Sequence, residues 1–289
     1  MKSFAYYPGC TLYTKSRNLD ICARESAKIL GVELKELETW NCCGAIFSTV
    51  QDDIANQIAP IRNLKEAQKI SNELVTLCAA CYNVLKRSNY YLYKEGNEIY
   101  RRRLINYLDE EYDGETKVLH FLEILKNQIG YNAVKSHVKK SLNGLKVACY
   151  YGCLMLRPSA EINFDDPDNP MIMDELFLAL GADAVQFPFK SECCGGYVLV
   201  NRPEVATKCA EIILESIINA GAECVVTTCP LCQYNIDNQQ KYMAKQFNLP
   251  IFYFTQLLGL SLGVEEKLLN LDNHYINPKL LLKQKGLII

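Results

Sequence analysis

Lys190-Ser191-Glu192-Cys193-Cys194-Gly195-Gly196 decides how this chain is read, because two adjacent cysteines have few uses. A disulfide between chain neighbours is geometrically awkward, since one peptide step fixes the two Cβ vectors apart. Two neighbouring thiolates suit a metal centre better, which they can clasp from one side. The same string occurs earlier as Asn41-Cys42-Cys43-Gly44. Further cysteines flank each copy at matching distances. The first half reads Cys10-x31-Cys42-Cys43-x34-Cys78-x2-Cys81, the second Cys153-x39-Cys193-Cys194-x34-Cys229-x2-Cys232. The gap of 34 repeats to the residue although the intervening sequences differ.

Working outward, the elements repeat in the same order. A strand at Phe4–Tyr7 runs into Gly9-Cys10, and its copy at Leu145–Tyr151 runs into Gly152-Cys153. Apolar residues at helical spacing from Arg17 to Leu30 stop at Gly31, and the copy from Met171 to Leu180 stops at Gly181. Strands at Val32–Leu37 and Ala184–Phe187 lead to the double cysteines. Val50–Ile70 reads as helix divided by Pro60, and Pro203–Ala220 as one long helix with proline at its start. Leu74–Leu77 and Glu223–Thr228 are strands that end at the Cys-x2-Cys pairs, with a helix from Asn83 to Tyr93 after the first. Val118–Phe121 and Ile251–Phe254 close each half. This order predicts an α/β fold of two duplicated small parallel, Rossmann-like halves facing each other across the thiols. Boundaries are expected at 1–130 and 144–270, with a linker at 131–143 and an extension at 271–289. Ligands in such sheets collect at strand C-termini, where all ten duplicated cysteines fall.

Fourteen cysteines in 289 residues are too many for an ordinary reduced cytosolic protein, where disulfides do not persist. A net charge of −2 argues against nucleic acid as a global partner. No apolar run is long enough to cross a bilayer and the N-terminus lacks a signal-peptide core, so a cytoplasmic location is expected. Five thiols per half exceed the four of a zinc cage and of a conventional iron–sulfur cube. Ligand softness and number favour iron–sulfur clusters, with zinc in one site as the alternative. Cys22, Cys149, Cys209 and Cys224 have no duplicate and are expected to be core residues, as are the scattered His120, His137 and His274 or else surface.

At these residues the chain resembles the B-subunit family of heterodisulfide reductase, whose hallmark is this duplicated Cys-Cys-Gly pattern; the resemblance spans about residues 2–262. It implies two non-cubane [4Fe-4S] clusters, each with five cysteines. One set would be Cys10, Cys42, Cys43, Cys78 and Cys81, the other Cys153, Cys193, Cys194, Cys229 and Cys232. It further implies reductive cleavage of a small disulfide between the clusters, the coenzyme M–coenzyme B heterodisulfide in methanogens. Partners would be a ferredoxin-like iron–sulfur protein of the C type and a flavin protein of the A type. One departure bears on the substrate: Leu154 follows Cys153 where the methanogen pattern has His. The competing reading is electron relay in a lactate, glycolate or quinone-linked oxidoreductase, whose lactate-type members follow Cys-Cys-Gly with Phe-Gly-Gly. Here Ala45-Ile46-Phe47 and Gly196-Tyr197-Val198 stand at those places.

The halves are unequal after their first cysteine. The longer second-half segment holds Arg157-Pro158 and the acidic run Asp165–Pro170, an expected substrate wall, and Arg157 and Lys190 are the expected contacts for substrate anions. Tyrosines and arginines between Tyr90 and Tyr107 form a candidate docking face.

Overall fold

The first strand runs from exposed Lys2 and Ser3 into the core. Phe4, Ala5, Tyr6 and Tyr7 have no exposed surface, which requires cover on both faces and makes Lys2–Tyr6 (β1) a central strand. Its parallel neighbours are Val32–Glu36 (β2) and Glu73–Thr76 (β3), and Lys117–His120 (β4) completes the sheet in the order β2-β1-β3-β4. The second sheet copies it. Lys146–Tyr150 (β5), Asp183–Val185 (β6), Cys224–Thr227 (β7) and Ile251–Tyr253 (β8) pair in parallel in the order β6-β5-β7-β8. The expected α/β architecture of two similar halves is thus the one observed in this computed structural model, which describes residues 2–47, 54–108 and 111–289.

Helices supply the cover. Arg17–Ile29 turns Leu19, Cys22, Ala23, Ser26 and Ala27 inward at the spacing of one helical face. Against it lies Phe254–Leu262 from the other half, a nine-residue helix with every residue buried, so it is enclosed by both halves. Thr255 Oγ1 donates to the Leu19 carbonyl at 3.0 Å across this contact, and the Cys22 thiol lies 3.7 Å from the Leu268 carbonyl. The buried apolar residues of both sheets accordingly form one continuous cluster.

Two local expectations change. Pro60 does not divide its helix: Ile54–Gln68 runs through it, while the expected start at Val50 lies outside the described residues. A proline removes one helical hydrogen bond, and burial of Pro60, Ile61 and Leu64 together offsets that loss. The segment expected to link the halves carries a helix, Tyr131–Ser136, whose Tyr131 hydroxyl donates to the Ile172 carbonyl at 2.6 Å.

Candidate functional site

Every duplicated cysteine leaves the C-terminal edge of a sheet. β1 and β5 end just before Gly9-Cys10 and Gly152-Cys153, and both glycines have positive φ, +76° and +68°. Their lack of a side chain is functional: a Cβ on Gly9 would stand 2.9 Å from the Cys81 sulfur, and one on Gly152 would stand 3.2 Å from the Cys232 sulfur. β3 and β7 end at the Cys-x2-Cys pairs. Cys78 is the N-cap of helix Ala79–Tyr93 and Cys229 the N-cap of Pro230–Gln239, so each Cys-x2-Cys pair opens a helix.

The double cysteines bring the set together. Cys10 and Cys42 sulfurs lie 3.7 Å apart, Cys43 and Cys81 3.5 Å, and Cys194 and Cys232 3.4 Å. All are free thiols, Cys10, Cys42 and Cys193 exposed and Cys43, Cys78, Cys81, Cys194, Cys229 and Cys232 buried, with Cys153 between. In the second half the Gly195 and Gly196 amides each point at a cysteine sulfur, Cys193 and Cys194, at 3.4 Å. Such donors favour thiolate, the form that binds metal. The Cys43 thiol is accordingly lowered to about 7, first by its hydrogen bond with Cys81 and then by the Ala45 amide. Cys193 is lowered to about 6, first by Cys153 and then by the Gly195 amide.

Among the described residues no group of three or more His, Cys, Asp or Glu is placed to hold a single metal ion. A tetrahedral zinc cage needs four ligands converging on one point, whereas a polynuclear cluster spreads its ligands over several irons. Five soft sulfur donors per half, pressed together around glycines that a Cβ would crowd, fit that class of cofactor.

A duplicated support escaped the sequence reading. Tyr7 donates to the Asn41 carbonyl at 2.8 Å and Tyr150 to the Glu192 carbonyl at 2.6 Å, each two residues before its glycine and each holding the residue ahead of a double cysteine. Matching tyrosines at Tyr7 and Tyr150 were the available signal. The asparagine anchors differ. Asn63 brackets Asn41 through two 2.8 Å bonds, whereas Asn235 donates to the Cys194 carbonyl at 2.5 Å.

The two sets face each other. Asn83, on the helix that starts at Cys78, donates to the carbonyls of Leu154 and Arg157 at 2.8 Å, and Arg87 pairs with Glu161 at 2.6 Å. The Tyr197 hydroxyl reaches the Ala45 carbonyl at 2.7 Å. Burial first, and then Cys229, Cys78, Cys153 and Cys43, raises the Tyr197 pKa, so its phenol feels thiols of both halves. On the other flank Tyr253 bonds Ser16 at 2.8 Å beside a cleft of about 590 Å³ walled by Lys15, Leu231 and Tyr234.

The two expected substrate contacts are otherwise engaged. Lys190 is only 4% exposed, and its ammonium is held by Asp174 at 2.8 Å, the Pro170 carbonyl at 2.9 Å and Gln186 at 3.1 Å. With its three donors used, it has none for a substrate anion, which corrects the expected role. Burial favours this pairing because a lone ammonium there would be costly. Arg157 is half-exposed and meets Asp168 at 3.2 Å and the Ser191 carbonyl at 3.2 Å, so it ties the acidic loop to the base of Cys193. That loop folds on its own carboxylates, Asp165 accepting from the Met171 and Ile172 amides at 2.7 and 2.8 Å. Cys22, Cys149 and Cys224 are core residues, as expected, whereas Cys209 is half-buried behind Gly195. His120 and His274 are buried and His137 is exposed. Of the candidate docking face, Tyr90 and Tyr107 are exposed, while Tyr91 and Tyr93 pack on Phe47 and Tyr112.

Fold and site together define a duplicated α/β protein with a five-thiol centre at the facing edge of each half. The family model of the CCG cysteine-rich domain matches residues 4–86 and again 147–237. The chain therefore belongs to the CCG cysteine-rich family and carries the domain twice. It is 33% identical to the 8-methylmenaquinol:fumarate reductase membrane anchor subunit of Wolinella succinogenes, over 96% of this chain and 98% of that one. It is 28% identical to the B subunit of a CoB-CoM heterodisulfide reductase of Methanosarcina acetivorans, over 96% and 94% of the two chains. It is 29% identical to a protein of Archaeoglobus profundus named as like the heterodisulfide reductase B subunit, over 92% of each. The crystal structure of a hypothetical protein from Helicobacter pylori shares the fold, with TM-score 0.72 and 15% identity, over 96% of this chain but only 52% of that one. The first two relatives are subunits of reductases, and among the described residues no helix is long and apolar enough to cross a membrane.

Proposed function

We propose that this chain is the catalytic iron–sulfur subunit of a heterodisulfide reductase-like complex, working in the reducing cytoplasm. Its cluster ligands in this reading are Cys10, Cys42, Cys43, Cys78 and Cys81 in one half and Cys153, Cys193, Cys194, Cys229 and Cys232 in the other. The halves, 1–130 and 144–270, would each hold one non-cubane [4Fe-4S] cluster. The reaction is RSSR′ + 2e⁻ + 2H⁺ → RSH + R′SH, with electrons from a ferredoxin-like C-type partner fed by a flavin-bearing A-type partner. The observation that carries the reading is the facing of two five-thiol sets across one seam, bridged by Tyr197.

When bound, the clusters supply the electrons. The protein's part is to hold the sulfurs together and to aim donors at them, as the Gly195 and Gly196 amides are aimed at Cys193 and Cys194. Leu154 lines the narrow space beside Cys153 and Cys193 with apolar surface, which suits a disulfide other than the methanogen one. The test is anaerobic purification with metal analysis and low-temperature paramagnetic resonance. About eight irons per chain, with spectra altered by thiols, is the expected result, following from two four-iron clusters. A colourless protein holding zinc would end this reading.

A second reading rests on the relative named for 8-methylmenaquinol and fumarate, at 33% identity over nearly its whole length. In it the same clusters relay electrons in a quinone-linked complex and bind no disulfide. Reduction of the clusters by a quinol, with no response to thiols or disulfides, would favour that reading.

A further inference from the structure

One side chain in the seam is not accounted for by the repeat. Tyr197 follows the second Cys-Cys-Gly, and Ile46 occupies the equivalent place in the first half. The short 3₁₀ turn Gly196–Val198 carries it. Gly196 sits so close to Leu231 that a Cβ there would come within 2.7 Å of it, which fixes the turn against the helix starting at Cys229. The phenol is thereby held along the space lined by Cys153, Leu154, Cys193 and Cys229.

Among the described residues that line this space, two are tyrosines, Tyr151 and Tyr197. Tyr151 is fully committed: it donates to Asp174 at 2.7 Å and accepts from the Met173 and Asp174 amides at 2.7 and 3.2 Å. Tyr197, by contrast, is 38% exposed and spends its proton on a backbone carbonyl, that of Ala45, in an exposed loop. Water can replace it on that carbonyl, so releasing the hydroxyl leaves no buried group unpaired. Leu154 and Leu231 offer no donor, and the cysteines are engaged with one another.

We propose that Tyr197 is a substrate-binding residue that turns its O–H from the Ala45 carbonyl to a sulfur of the disulfide or product thiol between the two cysteine sets. The inference rests on the disulfide reading above. A disulfide that takes up two electrons leaves anionic sulfur, and a charged acceptor strengthens a hydrogen bond from a neutral phenol. The group is therefore placed to hold product sulfur more tightly than the neutral disulfide.

The probe is 2-mercaptoethanol added to the iron-loaded full chain, followed by low-temperature paramagnetic resonance. In Tyr197→Phe, iron per chain is expected to stay at the wild-type value. The thiol concentration that half-converts the spectrum should rise about 10-fold, the loss of one hydrogen bond to a charged group. Wild-type and Tyr197→Phe curves that superimpose, with the wild type responding, would overturn this inference and leave the disulfide reading standing. A wild type indifferent to thiols and to a disulfide panel would overturn both. Iron loss in Tyr197→Phe would make the residue a brace between the halves and also overturn the inference.

Discussion

The two halves share a backbone plan and differ in what supports it. Both run a parallel sheet in the order 2-1-3-4, cap a helix with the first cysteine of Cys-x2-Cys, and place a glycine where a sulfur must pass. Their polar supports are not copied. The first half closes on a buried His120, where the second has Tyr253 at the same place on β8. Conversely the second half has a buried ion pair, Lys190–Asp174, beneath its double cysteine, and Asn41 stands ahead of the double cysteine of the first. Duplication preserved the sulfur geometry and left the surroundings free to diverge. The proposed reaction needs both sulfur sets, whereas only one side of a substrate needs a specific wall.

The harshest break of this comparison is to remove one clasp. Cys193→Ser is expected to cost about half the iron, one of two four-iron sites, and all disulfide turnover, measured by metal analysis and assay. Cys42→Ser should cost the same share of iron from the other half. Full iron and full turnover in either variant would refute the ligand sets.

The next largest effect tests the ion pair that supports the second half. Lys190→Met leaves Asp174 buried and unpaired, which is expected to cost about 3–5 kcal/mol in denaturant unfolding. Lys35→Met, on the exposed face of β2, should be nearly silent by the same measurement. A cost under ~1 kcal/mol for Lys190→Met would mean that the pair is solvated, not structural.

The closing strands provide a pH comparison. Burial lowers His120 to about 4, with the Leu77 carbonyl opposing more weakly. The folded state therefore binds this proton less well than the unfolded chain. Its contribution is complete above the unfolded value near 6.5 and is lost as pH falls toward 4, about 3 kcal/mol in all. His274, also lowered to about 4 by burial, acts in the same direction. Unfolding free energy measured between pH 7 and 4 should fall less steeply in His120→Tyr, which installs the residue used by the second half. An unchanged slope would show that His120 titrates normally in the fold.

The smallest effect compares the two glycines. Gly9→Ala and Gly152→Ala each force a side chain into positive φ, costing about 1–2 kcal/mol. Gly9→Ala should be the worse, because its Cβ comes closer to sulfur, 2.9 Å against 3.2 Å. Melting temperature ranks them, and the reverse order would mean that the Cys81 site yields more readily than the Cys232 site.

Much of this fold was legible in the chain. A buried parallel strand must be apolar throughout and a covering helix apolar on one face, so Phe4–Tyr7 and Arg17–Leu30 announced themselves. The exact repeat of the 34-residue spacing pointed to sulfurs held at corresponding strand ends, where they are found. Pro60 misled because helix propensity is local, whereas the burial that carries Ile54–Gln68 across it is not. Lys190 misled for a related reason: a lysine beside a cysteine pair reads as exposed until Asp174, 16 residues away, is known to lie against it.

The sequence alone determined that ten thiols converge in two equivalent groups at the edges of two parallel sheets, because periodicity and spacing are properties of a single chain segment. That the groups face each other was also expected from the duplication; only the tertiary structure decided that helix Phe254–Leu262 is buried between the halves and that Tyr197 spans from one set to the other. Such contacts join residues far apart in the chain, Tyr197 and Ala45 being separated by 152 positions. No local pattern encodes such a pairing, which follows from which apolar faces are left to cover one another once each sheet has formed.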